Sequence, residues 1–209
     1  MGFRDDFAGT QLNSSWNVSL GPASDPNVLI VASSTVAMES GTSIGQSRYM
    51  SFGLGQQRSG LILDFRLKIS ARQANQAWFF GLFNNQNPLQ ATQFARFRFS
   101  GSGGVTDSFC ETQSSTDTGG NEGIGSVVAL PATAGTNNTY QINLTNQNCA
   151  FWAGGDQLPP STALVTRSLH IPQLNTNLWI AIGVTNGGTA PSAQTTLTAD
   201  LVAAIDTIL

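Results

Sequence analysis

The sequence predicts an all-β protein, an antiparallel two-sheet β-sandwich, and three observations support this fold class. Short apolar runs are separated by clusters of Gly, Asn, Ser and Pro, with 22 glycines and 8 prolines in 209 residues, which is typical of sandwiches and barrels. Several runs alternate apolar and polar residues with a period of two. No segment keeps a helical period over the length of a helix. A chain of this length can bury one sizeable core, so we predict a single domain over residues 1–209.

Two of the predicted strands alternate strictly between an apolar and a polar face. Residues 61–70 place Arg66 and Lys68 on the polar face, and residues 95–100 place Arg96 and Arg98 there. Alternate residues of a strand point to opposite sides of the sheet. If these two strands are neighbours, their four cations therefore form one patch.

Residues 77–83, Ala-Trp-Phe-Phe-Gly-Leu-Phe, are apolar at every position. This pattern indicates a central strand that is covered on both faces. Further strands are predicted over residues 35–39, 46–52, 105–112, 126–130, 139–145, 149–153, 179–185 and 195–208, which brings the count to about eleven.

Three segments resemble the concanavalin A-like jelly rolls, the group of lectins, laminin-G modules and family 16 glucanases. They are the opening segment Asp6–Trp16, the hairpin Tyr140–Leu158 with its aromatic second strand and Gly-rich turn, and the final segment Thr196–Thr207. The resemblance implies a jelly roll in which the closing strand pairs beside the first.

Glycoside hydrolysis needs two carboxylates that face each other across a sugar, about 5 to 9.5 Å apart. The family 16 enzymes carry a Glu-x-Asp-x-x-Glu strand, and this sequence has no such run. The nearest candidates are Asp107 and Glu111, which share a strand face, and we interpret them as two solvated acids near a loop. The sequence alone identifies no catalytic partner for His170, and Gly-x-Ser-x-Gly does not occur. We therefore predict no catalytic residues and a non-enzymatic protein.

Sugar binding without catalysis would need exposed aromatic rings, and the four tryptophans are Trp16, Trp78, Trp152 and Trp179. Three of them lie within apolar strand patterns, so packing in the core is the preferred interpretation of each.

No cofactor motif is present, and we predict no cofactor and no metal site. A calcium ion would need clustered oxygen ligands, which Asp5, Asp6, Asp200 and Asp206 could supply only if the first and last strands pair. Cys110 and Cys149 lie 39 residues apart, which is not a metal-ligand spacing. We interpret them as two buried free thiols, with a single disulfide as the alternative.

The charge is small overall and unevenly distributed. The net charge is -3, yet seven basic residues between Arg48 and Arg98 stand against the single acid Asp64, a local net charge of +6. Eight of the nine cations are Arg, whose planar fork suits bidentate contacts, although these residues could equally decorate solvent-facing strands. An acidic isoelectric point and the lack of a Lys-rich run argue against nucleic acid as a partner. No apolar run approaches the roughly 18 to 20 residues of a membrane span.

A second resemblance concerns function. Gln46–Met50 and residues 63–82, with Ser-x-Arg-x-Ala-Asn-Gln before an aromatic strand, are similar to a pattern in structural proteins of tailed bacteriophages. It implies a virion component on the capsid exterior that is assembled in the host cytoplasm, and the N-terminus shows no secretory signal.

We accordingly predict a capsid cement or decoration protein, a homotrimer that binds the major capsid protein. Its docking residues would be Arg66, Lys68, Arg96 and Arg98. The alternative is a carbohydrate-binding module or adhesin with a glycan partner, and an enzyme of the family 16 type that uses Glu111 ranks third.

Overall fold

The structure is a computed structural model that describes residues 2–21, 29–57, 60–100, 107–114, 126–127, 136–155 and 162–207. These residues form fifteen strands in two antiparallel sheets, together with a short 3-10 turn at Pro88–Gln90. The prediction of an all-β antiparallel sandwich is therefore confirmed. No helix in these ranges is long and apolar enough to span a membrane.

The first sheet has the strand order β13-β12-β11-β6-β15-β4-β3, and β1 also pairs with β15. Its strands are β1 Gly2–Asp5, β3 Leu29–Ala32, β4 Thr35–Glu39, β6 Gly60–Ile69, β11 Asn138–Thr145, β12 Cys149–Gly154, β13 Val165–Arg167 and β15 Thr196–Asp206. The first strand lies antiparallel to the second half of the last, from Gly2 opposite Ile205 to Asp5 opposite Val202. This pairing is the one that the jelly-roll resemblance implies.

The second sheet has the order β10-β9-β8-β7-β14-β5-β2. Its strands are β2 Trp16–Ser19, β5 Ser47–Gln56, β7 Gln76–Phe83, β8 Phe94–Ser100, β9 Asp107–Gln113, β10 Ser126–Val127 and β14 Asn177–Asn186. The strands β6 and β8, which carry the four predicted docking cations, thus belong to different sheets. The prediction that these cations form one patch is wrong.

The core lies between the two sheets and is rich in aromatic rings. Phe80 of β7 is at its centre, with ring centroids 5.2 Å from Phe65, 5.3 Å from Phe97 and 4.9 Å from Tyr140. All four side chains are buried. Burial of a large apolar side chain contributes about 1.5–3 kcal/mol, so this contact between β6 and β11 of one sheet and β7 and β8 of the other is a major source of stability.

A buried polar network ties the two sheets together at one end of the sandwich. The Trp78 indole Nε1 donates to Thr195 Oγ1 at 2.9 Å and to Gln76 Oε1 at 3.2 Å. Thr195 N donates to Ser40 Oγ at 2.9 Å, and Gln76 Nε2 donates to Asn186 Oδ1 at 3.2 Å. Buried polar groups remain tolerable only when they find such partners.

Most of the predicted strands are present, and the differences concern short or peripheral ones. The four-residue strands β1, β2 and β3 and the three-residue strand β13 were not predicted, because such short runs are too brief for a clear alternation. The predicted strand 126–130 begins as β10, and its residues 128–130 lie outside the described ranges, as do residues 105–106 and 208 of two other predicted strands.

Both cysteines are buried free thiols, as the preferred interpretation has it. Burial raises the pKa of the Cys110 thiol to about 12. Burial also raises the pKa of Cys149, with Cys110 nearby as a second cause.

Candidate functional site

The outer face of the second sheet, the face turned away from the core, carries the candidate site. The strand register aligns its residues in three rows across β5, β14, β7, β8 and β9. The first row is Gly53, Trp179, Phe83, Phe94 and Gln113. The middle row is Ser51, Ala181, Gly81, Arg96 and Glu111, and the third is Tyr49, Gly183, Phe79, Arg98 and Phe109.

A layer of buried aromatic rings covers the middle of this face. Phe79, Phe83, Phe94 and Ala181 form a second apolar cluster that is separate from the core. The rings of Phe79 and Phe83 meet edge to face with centroids 5.8 Å apart. The prediction that β7 is covered on both faces is therefore confirmed.

Two glycines make this layer possible. A Cβ at Gly183 would overlap the Phe79 ring, so the ring lies directly against the backbone of β14. Gly81 has φ +155°, and a Cβ there would overlap the carbonyl oxygen of Ala95 in the adjacent strand. Glycine lets backbones and rings approach this closely.

Partly exposed aromatic side chains border the buried layer. Tyr49, Trp179 and Phe109 are each half-buried. The Trp179 indole lies over Gly53, where a Cβ would be 3.3 Å from its Nε1 atom, and Tyr49 packs against the second cluster. Tyr49, which packs on the buried layer, and Trp179, which packs on Gly53, thus both still present surface to a ligand.

An ion-paired triad, Arg96–Glu111–Arg98, stands beside the aromatic layer. Arg96 Nε donates to Glu111 Oε2 at 2.7 Å, and Arg98 Nε donates to Glu111 Oε1 at 2.7 Å. The Glu111 side chain is 9% exposed, whereas Arg96 and Arg98 are 20% and 27% exposed. The Arg96 guanidinium lies 4.1 Å from the centroid of the Phe94 ring, and that of Arg98 lies 4.3 Å from the Phe109 ring. Ion pairing and stacking together hold both guanidinium groups in place.

The triad carries a net charge of +1, because two guanidinium groups share one carboxylate. Burial lowers the pKa of Arg96, the Coulombic attraction and hydrogen bond of Glu111 raise it, and the nearby charge of Arg98 lowers it. Glu111 therefore compensates for only part of the cost of holding two cations at this place.

The four predicted docking residues divide between the two outer faces. Arg66 and Lys68 lie on the outer face of the first sheet, where Arg66 Nε is 3.4 Å from Asp200 Oδ2. Arg96 and Arg98 lie on the opposite side of the sandwich. The sequence therefore identified which cations point outward, but it did not show that only two of them share a surface.

The interpretation of Asp107 and Glu111 as two solvated acids is wrong for Glu111, which is buried and paired with two arginines. The backbone of Asp107 pairs with Ser100, and its side chain lies outside the described part. Glu111 is the one carboxylate among the side chains that the structure describes on this face.

Two of the four tryptophans lie in the core and two lie on the outer faces of the sheets, a division that sequence reasoning missed. Trp78 is a core residue, as predicted, and Trp16, which lies outside the predicted strands, is a core residue as well. Trp152 and Trp179 are half-buried on the outer faces of the first and second sheets, so the core interpretation is wrong for both.

Two of the four acids considered for calcium have other partners. Asp5 accepts hydrogen bonds from Phe7 N and Trp16 Nε1 at 2.8 Å each, and Asp200 is paired with Arg66. Within the described ranges, no group of three or more His, Cys, Asp and Glu side chains is arranged to hold a metal ion. His170, at φ +57°, follows β13 and belongs to none of the three rows.

Comparison with solved structures identifies the fold. A β-1,3-glucanase from Mycobacterium marinum is 14% identical with a TM-score of 0.70, over 97% of both chains. The laminarinase catalytic domain from Thermotoga petrophila is 12% identical with a TM-score of 0.70, over 99% of this chain and 97% of that one. A β-glucanase from Bacillus licheniformis is 14% identical with a TM-score of 0.67, over 99% and 98%. No family model and no curated protein matches the sequence.

The fold is therefore the concanavalin A-like jelly roll that family 16 glucanases share. The predictions of a capsid cement protein and of a non-enzymatic protein are contradicted, because these neighbours are carbohydrate-active enzymes and provide no link to a capsid. The major capsid protein as partner, the homotrimer and the virion location stay predictions that no observation tests.

Proposed function

We propose that the protein is carbohydrate-active and that it binds a glycan chain on the outer face of the second sheet. The observation that carries this proposal is that two partly exposed rings, Tyr49 and Trp179, share one sheet face with the Arg96–Glu111–Arg98 triad. One oligosaccharide could therefore contact both the stacking rings and the charged hydrogen-bonding groups.

The chemistry of sugars fits this combination. The C–H faces of a pyranose ring pack on aromatic rings, and its hydroxyl groups need donors and acceptors at fixed positions. Guanidinium groups donate and a carboxylate accepts, so the triad offers both kinds of partner. Trp179 of β14 and Arg96 of β8 lie two strands apart, about 10 Å at the usual strand spacing. A chain of several sugars could contact both.

The identities of the fold neighbours support the same class of ligand. They include the glucanases above and a structure, 10% identical with a TM-score of 0.73, whose description concerns endo-acting O-glycanases that initiate mucin breakdown. The candidate face of this chain supports a glycan ligand independently of them, through its own rings and charges.

Cleavage of the glycan is a second candidate, and Glu111 is the residue that favours it. Both of its oxygens accept hydrogen bonds from guanidinium groups, which suits a nucleophile or a group that stabilises positive charge. A proton donor would have to come from a side chain beyond those that the structure describes on this face.

Binding is tested with laminarin, mixed-linkage β-glucan and mucin O-glycans by isothermal titration. Trp179→Ala should weaken binding at least tenfold. Truncation of an aromatic ring that a ligand covers typically costs more than about 1.4 kcal/mol of binding free energy. Trp152→Ala is the matched control, because it removes a half-buried tryptophan from the outer face of the other sheet. Equal losses in the two variants, or no binding to any of the three glycans, would contradict the proposal.

The same glycans test cleavage through the release of reducing ends. Release that Glu111→Gln abolishes, while binding persists, would assign Glu111 to the reaction. Release that is unchanged in this variant would remove Glu111 from it.

A further inference from the structure

We infer that the Arg96–Glu111–Arg98 triad selects glycans that carry an anionic group, either a uronic carboxylate or a sulfate ester. This inference rests on the proposed function and narrows its ligand. It depends on three features of the triad: its open donors, its charge and its rigidity.

The open donors are the terminal nitrogens of the two arginines. Each guanidinium uses Nε for Glu111 and one of its faces for an aromatic ring. In the part of the chain that the structure describes, neither arginine gives its Nη atoms to a protein acceptor. Two neighbouring forks of this kind match the two or three oxygens of a carboxylate or sulfate.

The net positive charge of the triad also favours an anionic ligand. Two cations share one carboxylate, and they lie two residues apart on one strand. Burial and the charge of Arg98 both act against the charged form of Arg96 and lower its pKa. A bound anion would supply the negative charge that Glu111 alone does not, whereas a neutral sugar would leave the imbalance in place.

Rigidity makes the selection specific. Phe94 and Phe109 hold the guanidinium planes at 4.1 and 4.3 Å, and Phe94 is itself part of the buried aromatic layer. Side chains that are already ordered lose little freedom when a ligand binds.

The test uses pairs of ligands that differ only in charge. Tetragalacturonate is compared with its methyl ester, and a sulfated galactan tetrasaccharide is compared with its desulfated form, by isothermal titration at low and high salt. We expect the wild-type protein to bind the anionic member of at least one pair at least tenfold more tightly, with a preference that falls as salt rises. The pair that shows the preference distinguishes carboxylate from sulfate.

The variants assign this preference to the triad. Arg98→Gln removes the more exposed cation and should reduce the preference about tenfold, because one charge-assisted hydrogen bond contributes about a tenfold effect or more. Arg98→Lys keeps the charge without the fork and should retain part of the preference. Arg66→Gln, on the other sheet, should leave it unchanged. Thermal unfolding of each variant confirms that the fold is intact.

The failures of the two proposals can be told apart. Three results would overturn the anionic selection and leave glycan binding intact. They are equal affinity for both members of each pair, an undiminished preference in Arg98→Gln, and binding of laminarin alone. A lack of binding to every neutral and anionic glycan would overturn both.

Discussion

At the scale of single residues, Glu111 is the side chain on which the candidate site depends most. It neutralises one of two neighbouring cations and fixes both guanidinium groups through 2.7 Å hydrogen bonds. Sequence reasoning placed Arg96 and Arg98 correctly on an outward face, because a period of two shows which residues of one strand share a face. It did not pair them with Glu111, since the register between two strands is not contained in the alternation of either.

Replacement of Glu111 by Gln should destabilise the fold. The amide keeps the shape of the side chain but turns one acceptor into a donor, so one guanidinium loses its partner. Leaving a partly buried charged donor unsatisfied costs about 1–3 kcal/mol, which urea unfolding would measure. Glu39→Gln is the control, because the Glu39 side chain has no ion pair in the described part of the chain. An unfolding midpoint in Glu111→Gln equal to that of the wild type would show that the triad contributes nothing to stability.

The buried thiol of Cys110 should make stability depend on alkaline pH. Its pKa is about 12 in the folded protein, whereas an unfolded chain ionises its thiols near 8.5. The unfolded state therefore releases its proton first, so the thiol's contribution is fully present below about pH 8.5 and is lost as the pH rises toward 12. The measurement is the difference in the free energy of unfolding between wild type and Cys110→Ala at pH 8 and pH 10.5. We expect this difference to shrink at the higher pH, and a constant difference would contradict the assignment.

At the scale of strands, the outer face is organised by the glycines of β7 and β14. The sequence predicted β7 as a strand covered on both sides, and the second apolar cluster confirms this. The neighbours of β7 could not be predicted, because it lies between β8, which follows it, and β14, which is about a hundred residues away. The outward position of the half-buried Trp179 could not be predicted for the same reason. Almost every residue of β14 is apolar, so only the pairing of this strand shows which of its faces lies outward.

Gly183→Ala tests the packing of this aromatic layer. A methyl group there would overlap the Phe79 ring, and the ring would have to leave its position against β14. Overpacking of this kind typically costs about 1–3 kcal/mol, and glycan binding should weaken as the layer shifts under Tyr49. Gly188→Ala is the control, since nothing lies within 4 Å of a Cβ at that position. Equal stability of the two variants would show that the layer is not closely packed.

At the scale of the whole molecule, the fold brings two chemically different surfaces onto opposite sides of one sandwich. The strands and the fold class followed from composition and alternation, because these reflect which residues are buried. The distribution of strands between the sheets did not follow from them. β6 and β7 are consecutive in the chain yet belong to different sheets, so a sequence that places cations on β6 and β8 does not place them together. The capsid prediction depended on that single patch and on a local resemblance.

The polar network between the sheets should contribute to the cooperativity of this sandwich. Thr195→Val keeps the shape of the side chain and removes the hydroxyl that accepts from Trp78 and contacts Gln76. A loss of about 1–3 kcal/mol in the free energy of unfolding is expected, because Trp78 and Gln76, two buried side chains of β7, each lose a hydrogen bond to Thr195. Thr198→Val is the control, because Thr198 lies on the outward side of β15, the strand that begins directly after Thr195. A loss in Thr195→Val no larger than in Thr198→Val would contradict a role for the network in joining the sheets.

The central claim, that the outer face of the second sheet binds glycans, is tested most directly by the four tryptophan indole signals in an NMR spectrum during glycan titration. The indoles of Trp16 and Trp78 are buried and hydrogen-bonded to Asp5, Gln76 and Thr195, whereas Trp152 and Trp179 report on the two opposite faces. We predict that the Trp179 signal shifts with glycan concentration while the Trp152 signal stays in place. A shift of Trp152 with an unchanged Trp179 would place the glycan on the other sheet and contradict the account.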